Sequence, residues 1–378
     1  MNNKERFLTA LNLEKPDRLP VTTHHLMKSY LDKYLDGADT QQFFDHFGLD
    51  PILWTDHIKP LENQRVITLE DRNAALTTEK WNISCRELSD PVYKTYLYTI
   101  TTPGGILSTT VQQNEHTSWI VGHLIKNKND IDIIMNYAPF YGADINSINK
   151  DAGKFGTRGL VRGNIPCFDI FGQPGCWQDL ACLFGIENLI MESFDDPQWV
   201  HTILGFLRDR KLHYIKTLKG ARFDLIELGG GDASTTVISP DIFRQFVAPY
   251  DRELISEAKN VDQKIVYHTC GGMMPILEDI RDMGPTAIET LTPRGMGGDV
   301  DLGEVKRRVG DDVCLIGGFD QGHFFMNSTV LETKKAVRDA FESAGEGGGL
   351  ILSPSDHFFD ASPELLRAFA DEAKSCVY

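Results

Sequence analysis

A β-rich apolar run, Ile265-Val266-Tyr267, ends in His268-Thr269-Cys270, passes through Gly271-Gly272, enters a helical pattern and leaves it into a second short run, Ala287-Ile288-Glu289-Thr290. A strand–turn–helix–strand unit of this kind buries its apolar faces in an α/β sheet. It also sets an imidazole and a thiol two residues apart at the exit of a strand. In parallel sheets the carboxyl ends of the strands face the ligand site, so the pair is placed to share one ion.

The same rhythm recurs along the chain. Runs at 158–163, 223–228, 264–268, 286–290, 313–317 and 349–353 read as strands, and 19–23 and 49–54 add two at the start. Helical periods at 3–13, 26–47, 129–153, 176–192, 196–219, 240–258, 272–283, 302–309, 329–344 and 363–375 separate them. Eight strands alternating with helices in 378 residues predict one α/β domain over 1–378, a distorted (β/α)8 (TIM) barrel. Residues 61–125 break the rhythm. Their short β runs, two of them joined through Thr102-Pro103-Gly104-Gly105, predict an N-terminal β-hairpin excursion that serves as a lid.

Charge excludes one class of partner: a formal net charge of −16 without a basic patch argues against nucleic acid. No apolar run reaches the length of a membrane span and MNNKERF lacks the core of a signal peptide, so the expectation is a cytoplasmic protein with no membrane contact. Seven cysteines without paired spacing read as free thiols.

Function in a barrel sits on the loops after each strand. There the chain offers His24 and His25, Glu227 and Asp232, His268 and Cys270, Glu289, Asp320 and Gln321, and Asp356 and His357. Zinc takes imidazole nitrogen, thiolate and carboxylate oxygen, and a catalytic site keeps one position for substrate. His268 and Cys270 supply two ligands; Glu227, Asp356 or His357 supplies a third. Glu227, Asp232, Asp320 and His24 are the candidates for catalysis. Gly229-Gly230-Gly231 opens no G-x-G-x-x-G helix and reads as a loop into a capped helix, and no G-x-S-x-G elbow or P-loop is present.

Arg6-Phe7-Leu8, Pro16-Asp17-Arg18-Leu19-Pro20-Val21, Ile238-Ser239-Pro240, the His268-Thr269-Cys270-Gly271 turn, Gly317-Gly318-Phe319-Asp320 and Ser353-Pro354-Ser355 together resemble the uroporphyrinogen decarboxylase superfamily. The resemblance covers most of the chain, least over 55–150, and implies a distorted (β/α)8 barrel. True decarboxylases of this kind carry arginines after the first strand to hold substrate carboxylates. Here the stretch is Thr22-Thr23-His24-His25-Leu26-Met27-Lys28-Ser29-Tyr30, and the expectation is a site without strand-end arginines. His268 and Cys270 instead match the H-x-C turn of the zinc methyltransferases that work with corrinoid (cobalamin) proteins. The later cysteine of that branch is replaced by Asp356 and His357, which implies a more oxygen-rich shell. The resemblance thus implies zinc, a corrinoid carried by a partner protein, and a small methyl donor such as an O-methyl ether, or a thiol acceptor. A decarboxylase and a non-catalytic metal or corrinoid binding protein are the alternatives, and a homodimer stays open. Trp54, Trp81, Trp119, Phe358 and Phe359 are aromatic candidates for lining a pocket.

Overall fold

Seven of the predicted runs pair as parallel strands in the computed structural model, which describes residues 1–69, 74–168 and 174–378. They are β1 (Ile52–Trp54), β2 (Leu160–Asn164), β3 (Leu225–Gly229), β4 (Ile265–His268), β5 (Ala287–Glu289), β6 (Cys314–Phe319) and β7 (Leu350–Pro354), hydrogen-bonded in that order. β3, β4, β5 and β7 are buried throughout, β2 and β6 at all but one residue, as strands covered on both faces must be, while β1 is buried at Ile52 and half-buried beyond it. That is why they read as continuous apolar runs rather than alternating ones.

The run at 19–23 is not a full strand. Val21 forms a single parallel bridge to Leu352 of β7, with Leu352 N donating to Pro20 O (2.9 Å) and Thr22 N to Leu352 O (3.0 Å). On its other side Asp50 N donates to Val21 O (2.7 Å), but Val21 N is taken by the Asp50 side chain (2.9 Å). A carboxylate therefore stands where a ladder carbonyl would, and Pro20 brings no N–H to extend the pairing. Asp50, 1% exposed, also accepts from Arg6 (3.0 Å) and Arg18 (2.7 Å). The Arg6 and Pro16-Asp17-Arg18 motifs thus pin the N-terminal segment between β7 and β1.

Helices alternate with these strands and share one apolar core with them. The helical period at 26–47 divides into Lys28–Tyr34 and Thr40–Phe47, because Asp39 caps the second with a reciprocal bond to Gln42. The helix after β3 starts at Ser239, whose hydroxyl caps Ile242 N, and widens into a π turn at Phe243–Val247. Between β1 and β2 the chain forms a four-stranded antiparallel sheet from Asn82–Leu88, Lys94–Thr102, Gly105–Gln113 and Ser118–Gly122, plus two-stranded ribbons. The turn at 102–105 closes the longest hairpin, with Thr102 Oγ1 donating to Gly105 O (2.9 Å). Trp81 and Phe358 are core residues. None of the seven cysteines is in a disulfide, and no helix among the described residues is long and apolar enough to cross a membrane.

Candidate metal centre

Strand register brings the site together. β3, β4 and β5 end side by side, pairing Gly229 with His268 and His268 with Glu289. Their close approach requires Gly229: at φ +118° a Cβ there would lie 2.2 Å from the His268 carbonyl oxygen. The glycine run after β3 is a packing device that lets β4 sit close. His24 comes in from the segment that bridges to β7.

Ligand atoms of His24, Glu227, His268 and Glu289 lie within 4.8 Å of one another, and all four residues are buried. Individual separations are 3.4 Å (His24 Nε2 to Glu227), 3.7 Å (His24 Nδ1 to Glu289), 3.8 Å (His268 Nδ1 to Glu227) and 3.1 Å (His268 Nδ1 to Glu289). A tetrahedron with ligand bonds of about 2.1 Å has edges of about 3.4 Å. Cys270 Sγ is 3.1 Å from His268 Nε2.

Beneath this group lies Arg162 of β2, 1% exposed. Its Nη1 donates to Glu289 Oε2 (2.9 Å), and Nη2 donates to Glu289 Oε1 (2.7 Å) and Glu227 Oε2 (3.1 Å). The guanidinium also rests 4.5 Å from the ring of Trp54, its register partner on β1. Burial would raise both carboxyls. For Glu289 burial is the largest single influence, but the charge and hydrogen bonds of Arg162 together with the His268 hydrogen bond outweigh it, and the group stays well below the usual range. Glu227 is raised, by burial first and the Glu289 charge next. Burial would lower His268, but Cys270 and Glu227 push it well above its ordinary value. His24 stays neutral, lowered by burial and by His25, so its contacts to the carboxylates are not ion pairs.

Two observations test whether zinc suits these residues. Neither ring nitrogen of His24 has a hydrogen-bond partner although both are buried, an unusual state for a polar group that a cation would relieve. Imidazole, thiolate and carboxylate are the donors zinc takes. The residues fit it.

Residues 171–376 match the sequence profile of "Uroporphyrinogen decarboxylase (URO-D)". This chain belongs to that family. Over 234 residues it is 26% identical to the uroporphyrinogen decarboxylase of Dechloromonas aromatica, a match spanning 58% of this chain and 61% of the relative. Over 190 residues it is 24% identical to the methylated-thiol–coenzyme M methyltransferase of Methanosarcina mazei, spanning 50% of this chain and 48% of the other. In both cases the chain spans less than two thirds of the relative's length. A solved structure described as a methyltransferase from Methanosarcina mazei shares the fold, with a TM-score of 0.63 at 16% identity over 99% of each chain.

Within the URO-D family frame, the remaining predicted residues fall at different depths. Asp356 and His357 follow β7 and pair with each other (2.8 Å), half-exposed at the rim and outside the convergent group; burial is the largest influence on Asp356 and would raise it, but the hydrogen bonds and charge of His357 together keep it low. Asp232 is half-buried and raised by burial, with Gln178 Nε2 donating to Oδ2 at 2.7 Å. It lines a cleft of about 490 Å³ with Trp119 of the antiparallel sheet. Asp320 caps the short helix Gln321–Phe324 through His323 N (3.0 Å).

The expectation of no strand-end arginine fails at β2. Arg162 stands on the inner face there, yet its donors are committed to Glu289 and Glu227. A charged residue inside the apolar run Leu160-Val161-Arg162-Gly163 was the available signal. Glu289 was visible as a strand end, but its central position follows only from its pairing with Arg162.

Proposed function

We propose that this chain is a zinc-dependent methyltransferase that moves a methyl group between a small methylated molecule, or a thiol, and a corrinoid protein in the cytoplasm. The observation that carries the reading is the convergence of His24, Glu227, His268 and Glu289 on one buried point at the strand ends, with the half-buried Cys270 Sγ 3.1 Å from His268 Nε2. Similarity to a methyltransferase among the relatives supports it.

His268, Cys270, His24 and Glu227 would hold the ion, and Asp356 and His357 would close the rim. When bound, zinc supplies Lewis acidity to the heteroatom that carries, or will accept, the methyl group. The chain's own residues do the rest. Neutral His24 offers a nitrogen without first losing a proton. Glu289 receives His268 Nδ1 and is itself fixed by the Arg162 fork, so the imidazole that faces Cys270 is held in one orientation. In the demethylating direction the carbon–heteroatom bond would break with its electron pair left on the heteroatom, the methyl group going to the corrinoid acceptor that a partner would supply. Asp232, raised by burial, would return a proton to the leaving heteroatom, and Asp320 keeps the neighbouring loop in place.

We read the run at 19–23, bridged through Val21, as filling the eighth strand position of a closed (β/α)8 barrel in a single domain, and residues 61–125, of which 70–73 lie outside the described residues, as the lid over its mouth. Decarboxylation is the second reading, favoured by the curated relatives of that name. It needs a cation free to hold a substrate carboxylate, and Arg162 is already spent on two glutamates.

The test is elemental analysis beside a methyl-transfer assay with cob(I)alamin as acceptor. About one zinc per chain, lost together with turnover in Cys270→Ala, is the expected result. Full activity with no metal retained refutes it.

A further inference from the structure

Directly above the Arg162 layer lies a second layer built by the same two strands. Trp54 and Arg162 are register partners on β1 and β2. Two residues on, where side chains return to the same face, come Asp56 and Asn164. Asn164 donates its backbone N–H and its side-chain amide to the two Asp56 oxygens, both at 2.8 Å, which holds that carboxylate as a rigid acceptor. Asp56 and His25 are both exposed to water. With His24, Trp54, Leu26 and Phe44 they line a chamber of about 220 Å³. His24 therefore belongs both to the chamber wall and to the metal centre.

The chamber's chemistry narrows its ligand. At about 220 Å³ it is smaller than the pockets of about 300 to 1,000 Å³ that take drug-sized molecules, so the ligand is compact. Among the described residues no lysine or arginine lines it, and Asp56 would repel a carboxylate or phosphate. A quaternary ammonium group needs a free aromatic face. The Trp54 ring is instead stacked on His25 (centroids 4.7 Å apart) and covered by the Arg162 guanidinium at 4.5 Å, whose charge opposes a second cation. What remains are the apolar walls Leu26 and Phe44, Thr40, a fixed acceptor at Asp56, and a His25 ring that makes no hydrogen bond among the described residues.

We propose that this chamber is the subsite for the small methylated substrate, and that His25 and Asp56 make it selective for a neutral molecule bearing a free hydroxyl group on an apolar body. The assignment of the ligand as the methyl donor rests on the methyl-transfer reading; the binding preference does not. Selectivity of this sort is strong because a ligand lacking the hydroxyl leaves Asp56 short of a partner that water no longer supplies.

Titration calorimetry on the full chain, with and without zinc, tests the preference using 2-methoxyphenol, methoxybenzene, 2-methoxybenzoate and choline as probes. The expected result is that 2-methoxyphenol binds at least tenfold tighter than each of the other three. Asp56→Asn and His25→Leu, whose side chains are open to water and whose folding is checked by thermal melts, should each reduce that preference to less than threefold. Tighter binding of the benzoate or of choline, equal binding of methoxybenzene, binding of none of the probes, or a preference that survives both substitutions overturns the proposal. A retained preference without methyl transfer to cob(I)alamin leaves the subsite standing and removes the methyltransferase reading. Transfer from donors with no hydroxyl, at unchanged KM, does the reverse.

Discussion

Replacing Arg162 with methionine probes the charge arrangement of the site more directly than removing any ligand. The side chain is 1% exposed and makes three charge-assisted hydrogen bonds of 2.7, 2.9 and 3.1 Å to two buried glutamates. Methionine fills much of the volume but leaves those carboxylates facing each other without a cation. Counted singly, three such bonds at about 1.5 to 3 kcal/mol each give an upper bound. Breaking a buried ion pair by removing one partner costs about 3 to 5 kcal/mol, because the survivors relax by taking a proton. Glu227, already raised by burial and the Glu289 charge, is the group that takes it. We therefore expect a loss of about 4 kcal/mol from the metal-free protein at pH 8, read as a fall in the urea midpoint at unchanged slope. The sign of the pH dependence follows. A carboxyl raised in the folded state favours folding at low pH, and that contribution is lost as pH rises through its folded value. In the variant Glu227 is raised further, so the deficit should shrink at pH 6. Zinc should restore part of it, since a divalent ion replaces the missing positive charge, and Arg162→Lys should recover less than full stability because an ammonium lacks the fork. A methionine variant within about 1 kcal/mol of the parent at pH 8, or a deficit that does not change with pH, would refute the reasoning.

Other perturbations test separate parts of the fold. Asp251 is buried against Tyr267 (3.2 Å) and Cys176 N (3.4 Å), and burial pushes its carboxyl up to about 6. Relative to an ordinary value near 4 this is a cost of about 3 kcal/mol at neutral pH: the raised carboxyl's contribution is fully present below about pH 4 and lost as pH rises through about 6. Asp251→Asn should therefore stabilise the chain at pH 7.5 in urea titrations and change little at pH 4; an equal effect at both pH values contradicts this. Asp50→Ala strips the acceptor from Arg6, Arg18 and Val21 N and should cost about 3 to 5 kcal/mol, with protection of the N-terminal amides lost first in hydrogen exchange. Gly229→Ala forces a Cβ to within 2.2 Å of the His268 carbonyl at φ +118° and should cost about 3 kcal/mol or more while lowering bound zinc, measured by melting and elemental analysis.

What could be read in the sequence was what is local. Parallel strands buried on both faces print themselves as runs such as Leu225-Ile226 and Leu350-Ile351-Leu352, and the imidazole and thiol of His268 and Cys270 lie in one such unit. The run at 19–23 has the same apolar look, but Asp50, distant in sequence, satisfies Val21 N with a side chain, and no pattern within the run foretells that. The centre itself is assembled across the sheet. Arg162 meets Glu227 65 residues away and Glu289 127 residues away, so its role was invisible to any local window. Register supplies the missing link. Once β1 to β5 are aligned, Trp54 falls beside Arg162, Asn164 beside Glu227 and His268 beside Glu289, and the polar residues sort themselves into two layers. In the lower layer the fork of Arg162 neutralises one carboxylate and orients the imidazole; in the upper layer the Asn164 amides fix Asp56 in the same way. One strand, β2, thus carries both positioning groups two residues apart. A one-residue slip of its register would turn both outward, leaving Glu227, Glu289 and Asp56 without the donors that hold them.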